Sequence, residues 1–168
     1  MRSILIFPEM YNYEAIQKVR QQFDPLSENI HPHITLVFPL ESNLTNEDLA
    51  QIVTQRIKGT KSFPVTFDKL GSDGNGYIWL EASHGQERLI KLHDLLYQDD
   101  NLKPFLQTDL KYIPHITLGK VDPLQSAQIL ANLAIKELTF STYIDQVEIE
   151  TILDNNDSKI IFRQSLKD

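Results

Sequence analysis

The chain has 168 residues, which suits one domain or two small lobes sharing a core. Its 16 Lys and Arg against 23 Asp and Glu give a net charge of −7, so it repels long polyanions unless it gathers positive charge locally. The absence of cysteine excludes disulfides, thiolate metal sites and a cysteine nucleophile, while 41% apolar residues suffice for a globular core.

Ser3 to Phe7 reads as a buried strand stopped by Pro8. That apolar run is too short for a signal peptide or a membrane span, so the expected location is the cytoplasm. Tyr13 to Phe23 reads as a helix, with Ile16, Val19 and Phe23 at near-helical spacing. A strand from His33 to Phe38 follows, stopped by Pro39. The next helix has Thr45 and Asp48 as a capping pair, apolar Leu49, Ile52, Val53 and Ile57, and Gly59 at its end. Phe63–Leu70 and Tyr77–Ala82 read as strands joined by the turn-rich segment Gly71 to Gly76. That segment lacks the Gly-Lys-Ser/Thr ending of a phosphate loop and precedes a strand, so a hairpin is expected. A third helix runs from about Gln86 to Tyr97, with Ser83 and Gln86 at capping-box spacing. After a polar link comes a strand from His115 to Val121. Asp122-Pro123 then opens a helix expected to turn Ala127, Leu130, Ala131 and Ala134 inward. Two closing strands are expected near Tyr143–Leu153 and Lys159–Gln164. The order repeats from helix to paired strands, which argues for two α+β lobes of similar build without a flexible linker.

One pentapeptide occurs twice, as Pro32-His33-Ile34-Thr35-Leu36 and as Pro114-His115-Ile116-Thr117-Leu118. Strand side chains alternate faces, so His33 and Thr35 share one face, and Ile34 and Leu36 the other. The same holds for His115 and Thr117 against Ile116 and Leu118. The aliphatic pairs are expected to hold each strand in the core while the polar pairs face a cleft. Residues two apart on a strand lie roughly 6.5–7 Å from each other, so one phosphate group spans both polar side chains. An ordinary imidazole titrates near pH 6.5, which lets one histidine be neutral while the other is protonated. In-line phosphoryl transfer without a metal needs that pair, one histidine taking a proton from the attacking oxygen and the other giving one to the leaving oxygen. The threonine hydroxyls would hold the non-bridging oxygens.

Two His-x-Thr motifs, each followed by an aliphatic residue and separated by 115 − 33 = 82 positions, resemble the 2H phosphoesterase superfamily, many of whose bacterial members are labelled 2′-5′ RNA ligase-like. The resemblance covers essentially the whole chain, and Gly119-Lys120 after the second motif is similar to the family as well. It implies a single 2H domain over residues 1–168. The implied fold is α+β, bilobal and duplicated, with two mainly antiparallel sheets lining a central cleft and helices outside. It also implies action, without a metal or other cofactor, on 2′,3′-cyclic phosphates or 2′-5′ linkages of small nucleotides or RNA ends. On that resemblance His33 and His115 are the acid/base pair, and Thr35 and Thr117 bind substrate phosphate. The expected protein is a monomer with no membrane partner and no long nucleic-acid track.

Other readings accompany these. The same fold could be a non-catalytic nucleotide- or phosphate-binding module. His31, His33 and His115 are the only grouping with a metal reading, but no carboxylate adjoins either motif and threonine is a poor zinc ligand. His31 reads as a cleft-rim or merely exposed residue, His93 as a half-buried helix residue, and His84 as part of a loop or cap. Tyr77 and Trp79 fit base stacking and ordinary strand packing alike. Alternation counted from His115 puts Gly119 on the cleft face and Lys120 away from it, unless a bulge intervenes. Arg163 offers positive charge without any pattern to single it out.

Overall fold

In the computed structural model, which describes residues 1–167 and so ends one residue short of the expected 1–168 domain, the order is β1 (Arg2–Ile6), α1 (Tyr13–Phe23), β2 (Ile34–Leu40), α2 (Asn46–Arg56), β3 (Phe63–Ser72), β4 (Tyr77–His84), α3 (Gln86–Tyr97), β5 (His115–Lys120), α4 (Ser126–Asn132), α5 (Ile135–Leu138), β6 (Phe140–Ile144), β7 (Gln146–Ile152) and β8 (Ser158–Ser165). The architecture is α+β, as expected. The two expected sheets are instead one eight-stranded antiparallel sheet, in the order β6-β3-β4-β5-β2-β1-β7-β8. Its waist is the β2–β5 contact, a single registered pair, Ile34 opposite Ile116.

Each half of the sheet draws on distant parts of the chain. β1, β2, β7 and β8 form one half, and β3 to β6 the other. The closing strand expected from Tyr143 to Leu153 is broken at Asp145, where the chain leaves β6 on β3 and enters β7 on β1. The sheet curls enough for its ends to meet: the Leu166 N–H donates to the Asp145 carbonyl at 2.7 Å, and the Ser62 N–H to the Lys167 carbonyl at 2.7 Å.

The helices cover one face of the sheet. α1 packs on β5, α3 on β2 and β4, α5 on β3 and α2 on β8. Across the waist, Leu80, Ile116, Ile34 and Ile6 form a row through four neighbouring strands, all essentially without solvent contact. Burial of each such aliphatic chain stabilises by about 1.5–3 kcal/mol.

Several local expectations change with the tertiary structure. Thr45 and Asp48 do form a reciprocal capping box on α2, although the helix ends at Arg56 and its C-cap is Ile57, two residues before Gly59. Ser83 does not cap α3, because it still lies within β4; the cap position is Gly85, with φ +76. A Cβ there would also lie 2.3 Å from the Pro64 carbonyl oxygen. Pro39 does not stop β2: it sits at the register irregularity opposite β1, where no ladder N–H is required of it. Leu130 packs on the core as expected, together with Ile129 and Leu133, whereas Ala127 and Ala131 in α4 and Ala134 just beyond it face solvent. The helix breaks at Leu133, so a periodicity carried through it points the wrong way. Among the described residues no helix is long and apolar enough to cross a membrane.

Candidate functional site

The two motifs lie side by side on β2 and β5. Ile34, Leu36, Ile116 and Leu118 are fully buried on the helix-covered face. His33, Thr35, His115 and Thr117 are half-buried on the other. One step along the antiparallel register from Ile34–Ile116 sets Thr35 beside His115 and His33 beside Thr117. Side chains paired this way have Cβ atoms roughly 4.5–5.5 Å apart, and the diagonal between the two histidines is roughly 7–8 Å. All four side chains named from the sequence are therefore brought together.

Both imidazoles are held in the same manner. His33 Nδ1 lies 2.8 Å from the His31 carbonyl, and His115 Nδ1 lies 2.6 Å from the Ile113 carbonyl. A carbonyl only accepts, so each Nδ1 carries the proton and each neutral ring keeps its lone pair on Nε2. The proline between acceptor and histidine, Pro32 or Pro114, has its φ fixed by the ring and turns the preceding carbonyl back toward the imidazole. Neither Nε2 and neither threonine hydroxyl has a hydrogen-bond partner among the described residues.

The carbonyl-bearing loops are themselves braced. Arg20, 1% exposed on α1, binds Asp24 at 2.8 Å and the Ile30 carbonyl at 2.8 Å, which fixes the segment leading to His31. Before β5, the Tyr112 hydroxyl donates to the Thr35 carbonyl at 2.8 Å and its ring stacks on His93 at 3.9 Å. Burial raises the Tyr112 hydroxyl well above the usual tyrosine range, so it stays a donor. It ties the loop of one motif to the strand of the other. No sequence signal separates Tyr112 from the other tyrosines, and His93, expected to be half-buried, is buried beneath it.

Burial lowers the pKa of both motif histidines. For His33, the His31 carbonyl and Glu150 oppose the effect and Arg20 adds to it. For His115, the Ile113 carbonyl and Glu81 oppose it, while His33 adds to it. The unliganded site thus favours two neutral imidazoles at neutral pH, rather than the one-neutral, one-charged pair expected from unperturbed values.

The surroundings of the two rings differ. Phe7 meets His33 edge-on at 6.0 Å, whereas Trp79 stacks on His115 at 4.7 Å. Trp79 donates to Glu81 at 3.2 Å, and Lys69 pairs with the same carboxylate at 3.2 Å. Trp79 is thus a site residue as well as a packed one, 8% exposed. His31 is exposed, with Nδ1 2.7 Å from the Tyr13 hydroxyl. Among the described residues no group of three His, Asp or Glu is arranged to hold a metal ion.

A β-bulge decides the positions after the second motif. Trp79 pairs with Thr117 but Ile78 pairs with Gly119, so Leu118 is extra on β5. Gly119 is thereby placed on the helix-covered face and Lys120 on the cleft face, opposite Tyr77, reversing the uninterrupted alternation. Lys120 Nζ lies 4.3 Å from the Tyr77 ring centre. Gly119 lets α1 approach: a Cβ would lie 2.4 Å from Phe23 Cβ and 2.5 Å from the Phe23 carbonyl oxygen. Gly119→Ala is therefore expected to lower stability by about 1–3 kcal/mol, measured by urea unfolding; an unchanged midpoint would refute the close approach.

The family model of the 2′-5′ RNA ligase superfamily matches residues 7–156. The chain belongs to that superfamily. A Bacillus cytotoxicus protein named "Putative phosphoesterase" is 29% identical over 162 residues, covering 91% of this chain and 89% of its own. A Bacillus cereus protein of the same description is 26% identical over the same shares. Among solved structures, Escherichia coli LigT complexed with 3′-AMP superimposes with a TM-score of 0.69 at 18% identity, over 99% of this chain and 98% of that one. TT0787 of Thermus thermophilus gives a TM-score of 0.69 at 13% identity, over 99% and 97%. At such identities the structural likeness speaks for the fold.

Proposed function

We propose that the protein is a metal-independent phosphoesterase that opens 2′,3′-cyclic phosphates or cleaves 2′-5′ diesters of small nucleotides or RNA ends, with His33 and His115 as acid and base. The observation that carries this reading is the matched pair of imidazoles, each with Nδ1 committed to a backbone carbonyl and Nε2 left free beside an unpartnered threonine hydroxyl. A fixed tautomer keeps each Nε2 ready to exchange a proton without ring rotation. One Nε2 accepts the proton of the attacking water as its oxygen bonds to phosphorus. The opposite Nε2–H gives its proton to the ester oxygen as that P–O bond breaks. Thr35 and Thr117 donate to the non-bridging oxygens, and Lys120 on the same face adds positive charge. Family membership, the relatives' names and the 3′-AMP bound in LigT support a small phosphorylated nucleotide as the ligand.

The test is hydrolysis of 2′,3′-cyclic nucleotides and 2′-5′ dinucleotides in the presence of EDTA, followed across pH. Because burial depresses both histidines, the singly protonated free enzyme is most populated on the acid side of their usual value. The bell of kcat/KM, which reports the free enzyme, is expected to centre below about pH 6.5. A bound phosphate anion favours the imidazolium form, so the kcat bell should lie at higher pH. A flat profile from pH 5 to 8 would rule out the two-histidine relay, and loss of activity in EDTA would rule out metal independence.

A further inference from the structure

The helix-covered face of the sheet, opposite the face of the histidine pair, holds a cavity of about 380 Å³ between the end of α2 and the side of α3. Its walls carry Arg56, Lys58, Lys61, Arg88 and Lys91, and among the described residues they hold no Asp or Glu. None of the four motif residues lines it. Helical spacing sets Arg88, Lys91, Leu92 and Leu95 on one side of α3. The chain after α2 turns at Gly59, with φ +82, and carries Lys58 and Lys61 to the same cavity. Both guanidinium groups are held in place. Arg56 Nε and Nη2 donate to one oxygen of Asp99 at 3.1 and 3.0 Å. Arg88 stands 4.7 Å from the centre of the buried Phe63 ring and donates to the Lys61 carbonyl at 3.3 Å. Lys58, Lys61 and Lys91 form no ion pair among the described residues.

Local structure does not account for this gathering of like charge. The dipole of α2 favours cations at its C-terminal end, which suits Arg56 and Lys58. It gives no reason for Lys61, Arg88 or Lys91. Arg88 lies in the first turn of α3, where the helix dipole disfavours a cation. Of the five, only Arg56 has its charge met by a carboxylate among the described residues. In a chain of net charge −7, unpaired cations around one hollow concentrate a positive field there. We propose that the cavity binds a compact oligophosphate, two or three linked phosphate groups, at a site separate from the histidine pair. Such a group carries several negative charges in a short span. It can meet cations on α2, on the loop after it and on α3 at once. The planar fork of an arginine suits two phosphate oxygens, and the lysines add point charges. Among the described residues no aromatic ring lines the cavity, so a nucleobase finds nothing to stack on. The volume lies near the lower end for small-ligand sites, about 300–1,000 Å³, and the acidic remainder of the chain repels a long polyanion.

Calorimetry on the whole protein in metal-free buffer tests this with inorganic tripolyphosphate as the probe. The triple variant Lys58→Gln, Lys61→Gln, Lys91→Gln is expected to bind it about tenfold or more weakly, the combined effect of three exposed charges. These three side chains are exposed, so the variant should fold, as thermal unfolding checks. Lys91→Gln alone should show a share of the same loss. Arginine at all three positions keeps the charge and should keep the affinity. The double variant Thr35→Val, Thr117→Val alters the cleft and should retain the lysine-dependent binding. Binding untouched by the glutamine variants, or abolished by the valine pair alone, would place the anion in the cleft and overturn the proposal. Inorganic phosphate is expected to bind about tenfold or more weakly than tripolyphosphate. Equal affinities would overturn the assignment to linked phosphates. A nucleoside triphosphate should match tripolyphosphate, which would identify the phosphate chain alone as the recognised group. Much tighter binding through the same lysines would mean a base contact and overturn that assignment. Displacement of the probe by a short single-stranded RNA with a 5′-hydroxyl end would make the cavity part of a nucleic-acid track and overturn it too.

Discussion

Replacing either motif histidine with alanine is expected to lower kcat on 2′,3′-cyclic or 2′-5′ substrates by about 100-fold or more, the usual contribution of a positioned acid or base. In the proposed mechanism His33→Ala removes one proton carrier and His115→Ala the other. The two act on the same displacement, so the double variant should lose much less than the product of the single losses. On the same proposal Thr35 and Thr117 would still hold the phosphate, so KM should change far less than kcat. Stability is a separate readout. Each imidazole makes one side-chain hydrogen bond, to the carbonyl two residues before it. Its loss costs about 0.5–1.5 kcal/mol, too little to unfold the chain. Steady-state kinetics beside thermal unfolding separate the two effects. Single variants that both keep the wild-type rate would end the acid/base assignment.

Ile116→Ala is expected to lower the free energy of unfolding by about 2–5 kcal/mol, measured by urea denaturation. Ile116 is fully buried and stands at the centre of the row that joins Leu80 on β4 to Ile6 on β1. It also forms half of the one registered pair between β2 and β5, so the neighbours cannot close over the cavity without shifting one motif against the other. A loss of catalysis should accompany the loss of stability, because Thr35–His115 and His33–Thr117 are aligned by that same pair. A change below about 1 kcal/mol would mean that the waist is held from elsewhere, the Tyr112 bond to the Thr35 carbonyl being the alternative.

The histidine–threonine faces are legible in the sequence because side-chain alternation is a local property of any strand. The same locality explains why α1 and α3 begin and end where the spacing of apolar residues places them. Local patterns mislead where a distant segment intervenes. Asp145 interrupts an apolar run because the chain there passes from one end of the curled sheet toward the other. Ser83 loses its capping role because β4 runs on through His84. Lys120 changes faces because Leu118 is an extra residue against β4, and that count depends on a partner strand from a much earlier part of the chain.

Reading along the chain was enough to find the two motifs, the parity that turns their aliphatic residues inward, and the shortage of positive charge that disfavours long polyanions. Tertiary packing was needed to bring the motifs onto one sheet and to set a carbonyl behind each proline against its imidazole. Packing also pulls both histidines below their usual range. Alternation and composition act along the chain, whereas register, burial and enclosed volume depend on which remote segments meet.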